Sequence, residues 1–288
     1  MSILKAFANG AAATLRRPRL LALLWVINVV YAAAIVTPLA LIVQADLGHS
    51  FLGSNIRPLD APWLAEAALK YGSALPAMGG GLVLGVVLFL GLYVFLNGGI
   101  VGRLLDREGR PTLTAFVTDC ARYFGRYVRL FLLSLVFLAL TFGVVLRLLS
   151  ALIAPFIENA RTEWTTIILS NLHLLAALLL LSAVHMVFDY AKIAVVADDE
   201  KRSLKALGHA LKFLKNRFFR AWALYLLVVA VFLAGTVACH IVLGRLSGPA
   251  TAAVVLGFLW MQASVLFRIW VKTLFFAAQA EFYRAHPY

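Results

Sequence analysis

The stretch from Leu204 to Leu224 reads LKALGHALKFLKNRFFRAWAL. Its first half sets leucines at 204, 207, 211 and 214 and lysines at 205, 212 and 215. At 3.6 residues per turn this spacing predicts a helix with the four leucines sharing one face and the lysines on the other. Its second half begins an apolar run from Ala221 to Leu243, long enough to cross hydrocarbon at 1.5 Å per residue. A basic amphipathic helix leading into such a run predicts an interfacial helix, an elbow at Arg217 and a membrane span.

Two more stretches share the outline. LTAFVTDCARYFGRYVRLFLL runs from Leu113, and LKAFANGAAATLRRPRLLALL from Leu4. Each of the three begins L-x-A-[FL], then has nine residues, then an arginine: Arg17, Arg126 and Arg217. The reading is a unit of elbow helix plus hairpin used three times, over about residues 2–104, 111–195 and 202–278. Repeats of this parallel kind imply a pseudo-threefold axis along the membrane normal.

The whole chain supports a membrane setting. Of 288 residues 63% are hydrophobic and 14% charged, and mean hydropathy is +0.92. A soluble domain of this length has an apolar share nearer one half. Apolar runs lie at about 20–43, 81–104, 130–155, 166–195, 221–243 and 250–275. The expected fold is therefore an all-α polytopic bundle of six transmembrane helices, one integral membrane domain over residues 1–288. The first run is too long, and lacks the small-residue pattern, for a cleaved leader.

Charge orients the chain. Of the 26 Lys and Arg residues, twenty-one flank the spans on one side. Arg57, Lys70, Arg161 and Arg245 lie on the other, and Arg147 falls inside a span. Cytoplasmic loops collect Lys and Arg, so both termini are expected in the cytoplasm. Flanking charges also fit anionic headgroups, and they do not form the single soluble patch that nucleic acid would need. Cys120 and Cys239 are placed near opposite membrane faces, too far apart for a disulfide.

Ionisable side chains inside hydrocarbon are costly and therefore candidates for function. An inner group contains Asn97, His185, Asp189, Lys192, Arg268 and Lys272; an outer group contains Arg147, Asn171, His173 and His240. LYVFLNGG, MVFDYAK and LFRIWVK place Asn97, Asp189 and Arg268 at comparable positions in the three units, which predicts convergence near the inner mouth. The expected bland role is an Asp189–Arg268 ion pair locking two helices. Glu158 and Glu163 are possible partners of Arg147. The glycines Gly81-x-x-x-Gly85 and Gly98-x-x-x-Gly102 predict close helix packing, and the segment from Pro62 to Leu69 predicts a short helix anchored by Trp63.

No HExxH, G-x-S-x-G, Walker sequence or carboxylate pair occurs, so no catalytic residue, metal site or cofactor is assigned. NGGIVGRLLDREGRPTLTAF and FDYAKIAVVADDEKRSLKALGHALKFL resemble a loose group of uncharacterised bacterial six-helix membrane proteins. That group includes the membrane domain attached to some glycerophosphodiester phosphodiesterases. The resemblance implies a bacterial inner-membrane protein and carries no catalytic residue across. The function expected from these readings is a non-enzymatic scaffold or accessory subunit engaging anionic lipids or partner membrane proteins, or a homo-oligomer. The alternative is a transporter or channel for a small anion or lipid.

Overall fold

The computed structural model describes residues 2–47, 75–106, 112–159, 162–246 and 251–286, without the side chains of 39, 40, 42–47 and 75–78. The segment 62–69 and its expected helix lie outside these residues. All regular structure among them is helical. The elements are α1 (Ile3–Leu15), α2 (Pro18–Leu47), α3 (Leu75–Leu105), α4 (Leu113–Leu140), α5 (Leu146–Glu158), α6 (Glu163–Ala197), α7 (Ser203–Lys215), α8 (Phe218–Leu246) and α9 (Thr251–Arg284). A π-helical turn, Thr141–Val145, joins α4 to α5. Counting α4 to α5 as one, six helices are long and apolar enough to cross a membrane. The fold is an all-α, multi-pass membrane bundle.

Local chemistry explains the helix starts. Ser2, Thr112 and Thr162 accept from the amides of Lys5, Ala115 and Thr165 at 3.3, 3.3 and 3.4 Å, satisfying otherwise orphaned donors. The chain turns between α1 and α2 at Arg16 and Arg17, where Pro18 disfavours helical geometry in the residue before it. It turns again at Asn216 and Arg217, between α7 and α8.

The second elbow differs from expectation. α4 runs unbroken through Arg126 to Leu140. No proline follows Arg126, and the helix ladder continues, so this copy has a straight stem in place of a bend.

The contacts divide the chain into two units, one of residues 1–21 and 94–288, the other of residues 22–93. In the smaller unit, α2 and α3 form an antiparallel hairpin. The Tyr31 hydroxyl donates to the Gly85 carbonyl, and the Tyr31 and Phe89 rings lie 5.2 Å apart. A Cβ at Gly85 would fall 2.8 Å from Ile35 Cδ1, so the glycine permits this approach.

In the larger unit the buried core gathers at one end of the long helices. It comprises residues 94–104 of α3, 116–130 of α4, 186–195 of α6, 221–228 of α8 and 269–283 of α9, together with α1 and α7. Beyond that end apolar side chains are exposed, among them Leu152, Trp164, Leu172, Val254 and Phe258. At most 11% of any span's most apolar stretch is buried. Apolar area on this scale is stable only against hydrocarbon.

Candidate functional site

Three helical segments that carry the arginines or lead into them, α1, the first half of α4, and α7, pack against the buried end of a long helix, two through glycines and one through an aromatic pair. α1 crosses α9 at Gly10, where a Cβ would fall 2.6 Å from the Ala278 nitrogen. α4 crosses α3 at Gly98, Gly99 and Gly102, which lie against Tyr123, Cys120, Phe116 and Asp119. α7 packs on α6 through Tyr190 and Phe213, rings 5.3 Å apart. Cys120 is thus a buried thiol in a helix crossing, and Cys120 and Cys239 are both free.

The three arginines share one pattern. Arg17 Nη2 donates to the carbonyl of Asp106, one residue past α3, at 3.1 Å. Arg126 Nη1 donates to the Asp199 carboxylate at 2.7 Å and to the Glu200 carbonyl at 3.4 Å, just past α6. Arg217 Nη1 donates to the carbonyl of His286, just past α9, at 3.1 Å. A helix C-terminus presents unpaired carbonyls and partial negative charge, which a guanidinium complements.

Electrostatics differ among them. Burial pulls the Arg17 guanidinium below its ordinary value, opposed by the Asp106 carboxylate. Asp199 is held below the usual carboxylate range, first by its hydrogen bond from Arg126; burial opposes this, and the charges of Arg122 and Arg126 reinforce it. Arg122 also reaches Asp199, at 2.9 Å. Asp199 adopts φ 44°, left-handed backbone that Asp tolerates better than most residues.

The ends of α3, α6 and α9 meet at a cavity of about 340 Å³, lined by Leu105, Val196, Ala197, Asp198, Tyr283, Arg284 and His286. Asp198 accepts from the Tyr283 hydroxyl at 3.0 Å and contacts His209 Nδ1 at 3.2 Å. Arg284 Nη2 donates to the Leu105 carbonyl. Arg103 is bound by Asp119 at 2.5 Å and Asp106 at 3.1 Å.

The intramembrane candidates are dispersed. Asp189 pairs with Lys192 on its own helix at 2.8 Å, and no ion pair joins it to Arg268 among the described residues. Arg268 is exposed, as are Arg147, His185 and His240. Asn97 and Asp189 each lie eight residues before their helix ends, Leu105 and Ala197; Arg268 lies sixteen before Arg284. That offset is about 12 Å along the helix, so Phe276, not Arg268, occupies the matching register. His173 Nε2 meets Ser150 Oγ at 3.2 Å, a polar contact between neighbouring helices. Asn171 bonds its own backbone at Ile167. Lys272 is half-buried, and Asn97 is buried. Arg147 makes no ion pair with Glu158 or Glu163 among the described residues.

Four contributors escape the sequence reading: Thr14, Asp119, Tyr190 and Gln279. Gln279 interrupts FFAAQAEF, but the apolar run alone ends near Phe275, whereas the helix continues to Arg284. No family model, no curated protein and no solved structure matches the chain.

Proposed function

We propose that the protein is a non-enzymatic scaffold or accessory subunit of a bacterial inner membrane, with both termini and the three stem helices on the cytoplasmic side, engaging anionic lipid headgroups. The three stems are read as copies of one unit, supported by the shared arginine-to-helix-end bond. The observation that carries the function is the outward face of the stems. On α7, Ala206, Leu207, Ala210, Phe213 and Leu214 face the protein. Leu204 and Leu211, expected on the same face, are instead 71% and 51% exposed. They stand beside Lys205, Lys212 and Lys215, giving a mixed leucine–lysine edge. α1 exposes Leu4 and Leu15, and α4 exposes Leu113 and Val117. A leucine edge with flanking lysines matches the acyl–headgroup boundary of an anionic leaflet.

The transport reading has less support, since Arg147 and Arg268 stand exposed and Asp189 is engaged by Lys192. Native mass spectrometry of the reconstituted chain tests the scaffold reading. Bound phosphatidylglycerol should exceed bound phosphatidylcholine, and replacing Lys205, Lys212 and Lys215 by alanine should reduce that excess by about two orders of magnitude, at about 1 kcal/mol per lysine. Equal retention of both lipids by both proteins would overturn it.

A further inference from the structure

Two polar helix faces meet inside the larger unit. On α6, His185, Asp189 and Lys192 recur at i, i+4 and i+7; on α9, Arg268, Lys272 and Phe276 recur at i, i+4 and i+8. Each set shares one side of its helix. Lys192 Nζ lies 5.7 Å from the centre of the Phe276 ring, and its charge acts on Lys272. The two faces therefore oppose each other across a seam between α6 and α9.

Contacts nearer the helix ends fix the register: Tyr283 meets Asp198, and Phe276 meets Lys192. The offset of the second pair sets Lys272 level with Phe188, beside Asp189, and Arg268 level with Val184, beside His185. The seam is narrow at Lys192, whose side chain is 20% exposed, and opens at His185 and Arg268, both exposed. Further along the same faces Leu178, Leu174, Met261 and Phe258 are exposed. Lys192, Lys272 and Arg268 can carry positive charge, against the one carboxylate of Asp189. Such an excess is costly in a membrane without an anion beside it. In the orientation proposed above, about 30 Å of hydrocarbon beginning at Trp164 ends near Val184, and beginning at Thr251 ends near Val271. The cationic part of the seam thus stands where the phosphates of the cytoplasmic leaflet lie, and its apolar part where the acyl chains lie.

We propose that the seam between α6 and α9 holds one anionic phospholipid of the cytoplasmic leaflet, its phosphate against Arg268 and Lys272 and its acyl chains along Leu178, Leu174, Met261 and Phe258. Arg268 offers a planar fork to phosphate oxygens, and Lys272 a point charge. The proposal rests on the lipid-engaging reading for its orientation, but it uses a different surface from the leucine–lysine edge of α7.

The test uses the purified full chain in detergent with equal phosphatidylglycerol and phosphatidylcholine. Native mass spectrometry at rising collision energy first strips surface lipids, on which the α7 lysines are tested, and last a lipid held between helices. One phosphatidylglycerol should outlast the rest on the parent chain. Arg268→Gln or Lys272→Gln should lower its occupancy roughly tenfold, while alanine at Lys205, Lys212 and Lys215 should leave it in place. The α7 test can therefore fail with the seam lipid still bound, and the seam can fail with the α7 result intact. Unchanged occupancy in both seam variants, or equal retention of phosphatidylcholine, overturns the proposal. Millimolar inorganic phosphate without lipid should leave no adduct; a phosphate adduct assigns the site to a soluble anion and also overturns it. A second measurement guards against misfolding. Arg268 is exposed, so Arg268→Gln should melt like the parent without lipid, yet lose the rise in melting temperature that phosphatidylglycerol gives the parent. An equal rise in both proteins overturns the site.

Discussion

Trp270 donates its indole N–H to Thr14 Oγ1 at 3.1 Å, across 256 residues of chain. This bond ties the first helix to the last, beside the crossing of Gly10 and Ala278. The hydroxyl also donates to the Ala11 carbonyl at 2.8 Å, so Thr14 is held in place to receive the indole.

Thr14→Val keeps the shape and removes the acceptor. The Trp270 N–H then loses its partner, and stability should fall by about 1–3 kcal/mol. Trp270→Phe in the same background should add little further loss, and a double-mutant cycle in detergent measures the coupling. Simple additivity of the two losses would contradict the bond.

Gly10 and Gly208 separate packing from propensity. Gly10→Ala drives a Cβ into the Ala278 backbone and should destabilise by about 1–3 kcal/mol, because main chain cannot yield as a side chain does. Gly208 sits mid-helix on α7 with nothing near its would-be Cβ. Gly208→Ala should stabilise by up to about 1 kcal/mol. Thermal melts of the two variants should move in opposite directions.

The arginine bonds to the helix ends should each resist conservative exchange. Arg217→Ala leaves the His286 carbonyl without its charged donor, at a cost of about 1.5–3 kcal/mol. Limited proteolysis should then cut the C-terminus sooner. Arg217→Lys should recover only part of the loss, since an ammonium lacks the planar fork.

Acid should loosen the link after α6 first. Asp199 has its carboxyl held below the ordinary range in the folded protein, so it stabilises the fold above that range. The contribution is lost as pH falls through the depressed value. The group is half exposed, so the effect is modest. Asp199→Asn tolerates the left-handed backbone and removes the charge; its melting temperature should change less than the parent's between neutral and acid pH. Parallel pH profiles for the two proteins would exclude this role.

Sequence by itself determined the six spans, because a run of about 20 apolar residues is a local property that a bilayer reads directly. It also determined where Arg17, Arg126 and Arg217 stand along the chain, and the positions of the lysines on α7. It did not determine which side of the apolar wedge meets protein. Helical period assigns Leu204, Leu207, Leu211 and Leu214 to one broad face; only packing against α6 buried two and left two outside. Nor did it reveal that Arg126 sits in an unbroken helix, or that Arg268 lies two turns out of register. The partners of the arginines were equally hidden. Arg17, Arg126 and Arg217 bind carbonyls 89, 74 and 69 residues away, and a backbone carbonyl carries no signature in the sequence of what will bind it. Tertiary structure alone brought the ends of three long helices to one cavity, because that meeting depends on how the stems cross their neighbours, and crossing is decided by side-chain volume at contacts distant in the chain.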